Sequence, residues 1–150
     1  MWLTPLLFLI LFSNATAAQK PSAEIEEAEN IVWGVFIRLT NLLRDNKQEE
    51  AVKLFSPSFI FDRCDRTYDA KELVHLWTNI EKSKNERIVF DHRWIRKHGL
   101  RSKYFIEFGI RFEAGVNWGT MRTLVVRRVD QKIVRGRYIC SRITKACSCT

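Results

Sequence analysis

The sequence predicts an α+β fold, with N-terminal amphipathic helices packed against a curved antiparallel sheet. Three observations lead there. Residues 22–45 and 69–82 carry apolar side chains every three or four positions, the period of a helix face. From Ile88 onward the period switches to two. Short, turn-rich connections then separate the alternating runs, which implies an antiparallel meander. One face of that meander has to be buried, and the helices carry the remaining apolar surface able to cover it. The 150 residues suit one ordinary domain. With 46% hydrophobic and 28% charged residues, the composition is globular and excludes a disordered chain.

The first eighteen residues stand apart from the fold. Residues 6–12 form an unbroken apolar run, Leu-Leu-Phe-Leu-Ile-Leu-Phe. That run is too short for a membrane span, which needs about 20 apolar residues. It is followed by Ser13-Asn14-Ala15-Thr16-Ala17-Ala18, whose small residues suit cleavage after Ala17 or Ala18. The expectation is a secretory signal peptide over 1–18 and one domain over 19–150. No Lys or Arg precedes the run, so its only leading charge is the amino terminus. The sequon Asn14-Ala15-Thr16 would leave with this segment. No later stretch is long and apolar enough to anchor the mature chain.

In the remainder, Ile25, Ala28, Val32, Val35, Phe36, Leu39, Leu42 and Leu43 form the stripe of a first helix. Ser22 is its candidate cap, and Glu24, Glu26, Glu27 and Glu29 crowd the dipole-favoured first turns. Residues 47–55 read as a short second helix ended by Ser56-Pro57. Phe59-Ile60-Phe61 is a short strand. Asp69-Ala70-Lys71-Glu72 has capping-box spacing and opens a third helix to about Lys82, with Leu73, Trp77 and Ile80 on one face. Ile88, Phe90, His92 and Trp94 then alternate with Val89, Asp91 and Arg93. Tyr104, Ile106, Phe108, Ile110 and Phe112 form a second inward row. Two further strands are expected over 120–129 and 133–143, with turns at 97–99, 113–119 and 130–131.

Cys64, Cys140, Cys147 and Cys149 all follow the apolar leader, and an even count in a secreted chain reads as disulfides. Joining Cys147 to Cys149 would close a small strained ring. That favours Cys64 and Cys140 each reaching the C-terminal tail, in either order. Such a staple contributes about 2–4 kcal/mol. Zinc is the rival reading, weakened by the lack of a second close cysteine pair. No metal or other cofactor is expected.

Three helices, a short strand pair between the second and third, and four long antiparallel strands resemble the nuclear transport factor 2-like fold, a cystatin-like cone. The passage Leu54-Phe55-Ser56-Pro57-Ser58-Phe59-Ile60-Phe61-Asp62, followed by Asp69-Ala70-Lys71-Glu72-Leu73, looks like the one typical of such domains. The run Phe61-Asp62-Arg63-Cys64-Asp65-Arg66-Thr67-Tyr68 further resembles a small secreted branch found in nematodes. The resemblance covers about residues 22–143. It implies a cone with an internal pocket and no single activity, because the fold serves isomerases, dehydratases, transport adaptors and domains without known function.

Strand parity and helical spacing place Trp77, Phe90, His92 and Trp94 on the pocket wall, with Tyr68 near its mouth. His92 is the histidine expected to point inward, where it is suited to acid–base work near neutral pH. The competing reading is a hydrogen-bonded core histidine. His75 is expected in solvent and His98 in a turn. Asp62, Asp65 and Tyr68 form the densest polar group near the expected pocket mouth. Steroid-isomerase-like relatives place an acidic base and a tyrosine donor in the cavity, but these three residues do not align with those positions. Arg63 and Arg66 interleave with those acids, so a salt-bridged hairpin beside a disulfide explains them better. Nucleophile-triad, phosphate-loop and zinc-protease motifs are absent from the sequence.

Charge is unevenly spread. Residues 1–100 hold 14 Lys+Arg and 14 Asp+Glu, whereas residues 101–150 hold 11 and 3, the whole net +8. Lys103, Arg111, Arg135 and Arg137 are expected on an outward basic sheet face. Such a face attracts acidic glycans, lipid head groups or acidic proteins, or simply keeps the chain soluble. Nucleic acid is not an expected partner outside the cell. Dense arginines argue against a dry homodimer interface, so a monomer is expected. The functional expectation is a secreted, non-enzymatic domain binding a small apolar ligand or an acidic extracellular partner. The alternative is a pocket enzyme of isomerase or hydro-lyase type, which requires a carboxylate within reach of Tyr68 or His92.

Overall fold

The computed structural model describes residues 22–63, 66–83, 86–91, 93–98, 100–114, 117–118 and 122–138. The expected leader over 1–18, Asp65, His92, the side chain of Trp118 and all four cysteines (Cys64, Cys140, Cys147 and Cys149) lie outside the described residues.

Helix α1 (Ala23–Arg44) begins at Ser22, whose hydroxyl accepts the Ile25 N–H at 3.4 Å. Its stripe of Ala28, Val32, Val35, Phe36, Leu39 and Leu43 is buried. The chain leaves α1 through Asn46, whose φ of 60° lies in the left-handed region that asparagine tolerates. Helix α2 (Gln48–Val52) is shorter than the spacing suggested, because the chain is already extended at Phe55. Strand β1 (Phe55–Asp62) therefore runs through Ser56-Pro57 instead of starting after them. Its pairing is irregular between Phe55 and Ile60. Pro57 sits in that stretch, where its missing N–H breaks no regular ladder.

Strand β2 (Thr67–Tyr68) forms a hairpin with β1, placing Phe61 opposite Tyr68. Helix α3 (Ala70–Lys82) has the predicted capping box. Asp69 Oδ1 accepts the Glu72 N–H at 2.9 Å, and Glu72 Oε2 accepts the Asp69 N–H at 3.1 Å. The Lys82 ammonium bonds Asn46 Oδ1 at 2.8 Å, tying the end of α3 to the end of α1.

Strand β3 (Glu86–Asp91) buries Ile88 and Phe90 as parity predicts, but it stops at Asp91. Residues Arg93–His98 form a short helix, α4. Asp91 Oδ1 accepts the Arg93 N–H at 3.1 Å, the local bond that turns the chain out of the sheet. Strands β4 (Phe105–Ala114), β5 (Asn117–Trp118), β6 (Arg122–Arg127) and β7 (Lys132–Tyr138) complete the sheet. Its strand order is β2-β1-β7-β6-β4-β3, with β5 paired to β4. The β3-β4-β6-β7 portion is the expected antiparallel meander, whereas β1 joins β7 in parallel, so the sheet is mixed.

In the C-terminal strands, alternation fails at two places for local reasons. Tyr104 precedes β4 and is 61% exposed, while Ile106, Phe108, Ile110 and Phe112 are buried as expected. Strict alternation along 133–138 also breaks. The β6–β7 register shifts between Val125 and Val126, leaving Val134 without a partner of its own. That bulge lets Ile133 and Gly136 both face the core while Arg135 and Arg137 stay exposed. The core joins α1 and α3 to the sheet through Val32, Leu39, Leu43, Val74, Trp77, Phe108, Ile110, Leu124 and Ile133. Among the described residues, no helix is long and apolar enough to cross a membrane.

Candidate functional site

The predicted pocket residues separate into different environments. Trp77 is 1% exposed; its ring meets Phe61 edge-on at 6.1 Å and Phe112 at 6.0 Å. Tyr68 is buried against Phe61 at 6.5 Å. The Tyr68 hydroxyl accepts Arg63 Nη1 at 2.9 Å, and the Arg66 guanidinium lies 4.1 Å from its ring centroid. Hydrogen bonding by Arg66, aided by Arg63, holds the phenol below its ordinary pKa against the opposing effect of burial. Among the described residues no carboxylate approaches this hydroxyl. Asp62 instead reaches across β1 and β7 to Arg135 at 2.8 Å.

Trp94 departs from its predicted place. It belongs to α4 and is half-buried, with its ring 4.0 Å from that of His98. The cause is the Asp91 bond that ends β3, which takes residue 94 off the sheet.

Phe90 lies where a concavity forms. With Phe36 at 5.5 Å, Phe108 at 5.7 Å and Trp33 at 5.6 Å, it makes an aromatic cluster between α1 and β3. Trp33 stacks on Phe36 with centroids 6.0 Å apart and rings inclined by 25°. These rings, with Ile88, Val89, Glu29 and Asn30, line an open groove of about 480 Å³. Trp33 is 50% exposed. It lies off the apolar stripe of α1, so its periodicity marks it as a surface residue. The available sequence signal was the residue type itself, a tryptophan among Glu29, Asn30 and Gly34 on the outer side of an acidic helix.

The outward basic face is built differently from a field of free cations. Arg137 bonds Glu107 at 2.9 Å, Arg135 bonds Asp62, and Arg111 approaches the buried Asp91 at 3.5 Å. Lys103 departs from the expected sheet face because β4 starts only at Phe105; its ammonium lies 4.9 Å from the Tyr104 ring centroid. Three of these four residues thus face carboxylates that strand pairing brings to them. Among the described residues, no group of three His, Cys, Asp or Glu side chains is arranged to hold a metal ion.

Comparison with known proteins agrees with this architecture. A designed NTF2 fold protein, NT-9, is 20% identical, covering 81% of this chain and 89% of its own, with a TM-score of 0.52. A protein described as "Rd1NTF2_04 with long sheet" is 14% identical over 71% of this chain and 97% of its own, also with a TM-score of 0.52. An NTF2-like protein of unknown function from Cytophaga hutchinsonii is 6% identical over 75% of this chain and 91% of its own, with a TM-score of 0.48. No curated protein matches the chain significantly. The family model for the NTF2-like domain matches residues 29–142, from within α1 to beyond β7, and the chain belongs to the NTF2-like domain family.

Proposed function

We propose that this chain is a secreted, non-enzymatic NTF2-like domain that binds a small, neutral, planar apolar molecule in the groove between α1 and β3. The observation that carries this reading is the half-exposed Trp33 ring, set beside Phe36 and Phe90 at the open side of the groove. An indole kept half in water forgoes part of its burial energy, and a ligand stacking on it recovers that energy. The groove volume falls in the range usual for small-molecule sites, about 300–1,000 Å³.

The non-enzymatic reading is supported by the surroundings of Tyr68, whose hydroxyl is engaged by Arg63 and, among the described residues, by no carboxylate base. Secretion and disulfide tethering of the tail are supported by the apolar run at 6–12, the small residues after it, and the even cysteine count. Membership of the small secreted nematode-type branch rests on the run from Phe61 to Tyr68.

The test is titration of the purified chain with N-phenyl-1-naphthylamine, a neutral fluorescent aromatic. The wild type should bind one equivalent saturably, and Trp33→Ala should weaken binding at least about tenfold. Non-saturable uptake, or equal affinity in Trp33→Ala, overturns the reading.

A further inference from the structure

A second concavity lies toward the opposite edge of the sheet, where α2, the start of β1, the first turn of α3 and the start of β7 meet. It encloses about 540 Å³. Val52, Phe55, Pro57 and Phe59 line its apolar part. The Phe55 and Phe59 rings meet edge to face at 4.7 Å, which fixes that surface. Three lysines, Lys53, Lys71 and Lys132, stand around it, with Asp69 as the one acid among its lining residues.

The charges in this cleft are not matched as they are on the sheet face. Asp69 Oδ1 is committed to the Glu72 N–H of the helix cap. The Lys132 ammonium rests on the Lys53 carbonyl. Among the described residues, the ammonium groups of Lys53 and Lys71 face no carboxylate partner. Lys71 is also the second residue of α3, where the helix dipole disfavours a cation. Positive charge therefore gathers above an apolar surface, at a position where local helix electrostatics would prefer an acid.

We propose that this cleft binds a free single-chain carboxylate amphiphile, a medium- or long-chain fatty acid. Its hydrocarbon lies on Phe55, Pro57 and Phe59, and its carboxylate sits among Lys53, Lys71 and Lys132. The lysine charge selects an anionic head, and the aromatic surface selects an aliphatic tail. The α1–β3 groove also presents aromatic rings but has no lysine among its lining residues, so head-group charge separates the two sites.

Calorimetric titration of the purified chain with decanoate, below its micellar concentration, tests the proposal. Decyltrimethylammonium, of equal chain length and opposite charge, should bind at least about tenfold more weakly than decanoate. The double variant Lys53→Glu/Lys71→Glu should lose decanoate at least about tenfold. Glutamate suits the first turn of α3, so this variant should fold with an unchanged circular dichroism spectrum. Trp33→Ala should keep wild-type decanoate affinity, even if it abolishes uptake of the neutral aromatic. Equal affinity for both amphiphiles, no loss in the lysine double variant, or loss in Trp33→Ala alone each overturns the proposal. So does binding to phosphatidylglycerol vesicles without binding to free decanoate, which assigns the cleft to a membrane surface.

Discussion

Replacing Gly136 by alanine drives a methyl group into the seam where β1 and β7 run in parallel. The register places Gly136 opposite Phe61 on one side and Leu124 on the other. An added Cβ would stand 2.4 Å from Phe61 Cδ2 and 2.8 Å from Leu124 Cδ2. Ordinary contacts between such carbons are about 3.5–4.0 Å, so the Phe61 ring has to withdraw by roughly 1 Å. It has little room to do so, being 2% exposed and bounded by Tyr68 and Trp77. Overpacking of a core costs about 1–3 kcal/mol, and a ring confined on both sides puts Gly136→Ala toward the upper end. Urea unfolding followed by tryptophan fluorescence should show a lower midpoint with an unchanged slope. In a Phe61→Leu background, where the offending ring edge is gone, the same substitution should cost less, with a coupling of about 0.5–3 kcal/mol. A cost below about 0.5 kcal/mol, or strict additivity of the two changes, would refute the Phe61–Gly136 register and the parallel closure built on it.

Two further outcomes follow from particular contacts. Trp77→Ala empties the space between Phe61 and Phe112 and should cost about 3–5 kcal/mol by chemical denaturation; a loss under about 1 kcal/mol would mean that the indole borders open space. Asp130 accepts two bonds from Arg127, at 2.6 and 3.0 Å, which with the Lys132 N–H lower its pKa to about 2. A depressed carboxylate stabilises the folded chain above its unfolded pKa of about 3.9. That advantage fades as pH falls toward about 2. The stability gap between wild type and Asp130→Asn should therefore be constant above about pH 5 and close across that window, and a gap unchanged down to pH 2 contradicts the pairing. The effect should be small and salt-sensitive, because both side chains are solvated.

The local elements were legible because their signals are local. Ser22, the Asp69/Glu72 box and the stripe from Ala28 to Leu43 each act within a few residues, and α1 and α3 have nearly the predicted bounds. The inward rows Ile88/Phe90 and Ile106–Phe112 follow from pleating alone. The parallel pairing of β1 with β7 was not legible, since it joins Phe61 to Gly136 across the rest of the domain and leaves no periodic trace. Helix α4 was missed because Trp94 continued the period of two by coincidence. The usable signal was Asp91, an acidic cap followed by Arg93-Trp94-Ile95. The arginines at 111, 135 and 137 were rightly placed on strands, but their partners Asp91, Asp62 and Glu107 sit on neighbouring strands. Their neutralisation depends on strand order, which alternation does not encode.

Inward-facing and pocket-lining are different properties, and alternation reports only the first. Trp77 and Phe90 both satisfy inward periodicity, yet Trp77 is enclosed by rings from β1 and β4 while Phe90 reaches the edge of the sheet and meets Trp33. Whether a residue lines space depends on the summed volume of side chains from several elements, a sum no single period contains. The surface positions that carry the two proposed sites share another trait. Trp33 leaves half of a large apolar ring in water, and Lys71 holds a cation in a first turn that favours acids. Each departs from the preference that its own helix sets, while the residues around it obey that preference. A sequence otherwise consistent at every level concentrates such departures where selection acts on something besides stability. On that reasoning, Trp33 and Lys71 are stronger candidates for ligand contact than buried aromatics whose placement the core already explains. It also requires that Lys71→Glu raise the stability of the ligand-free chain, and a destabilised variant would show that the lysine is held there by the fold itself.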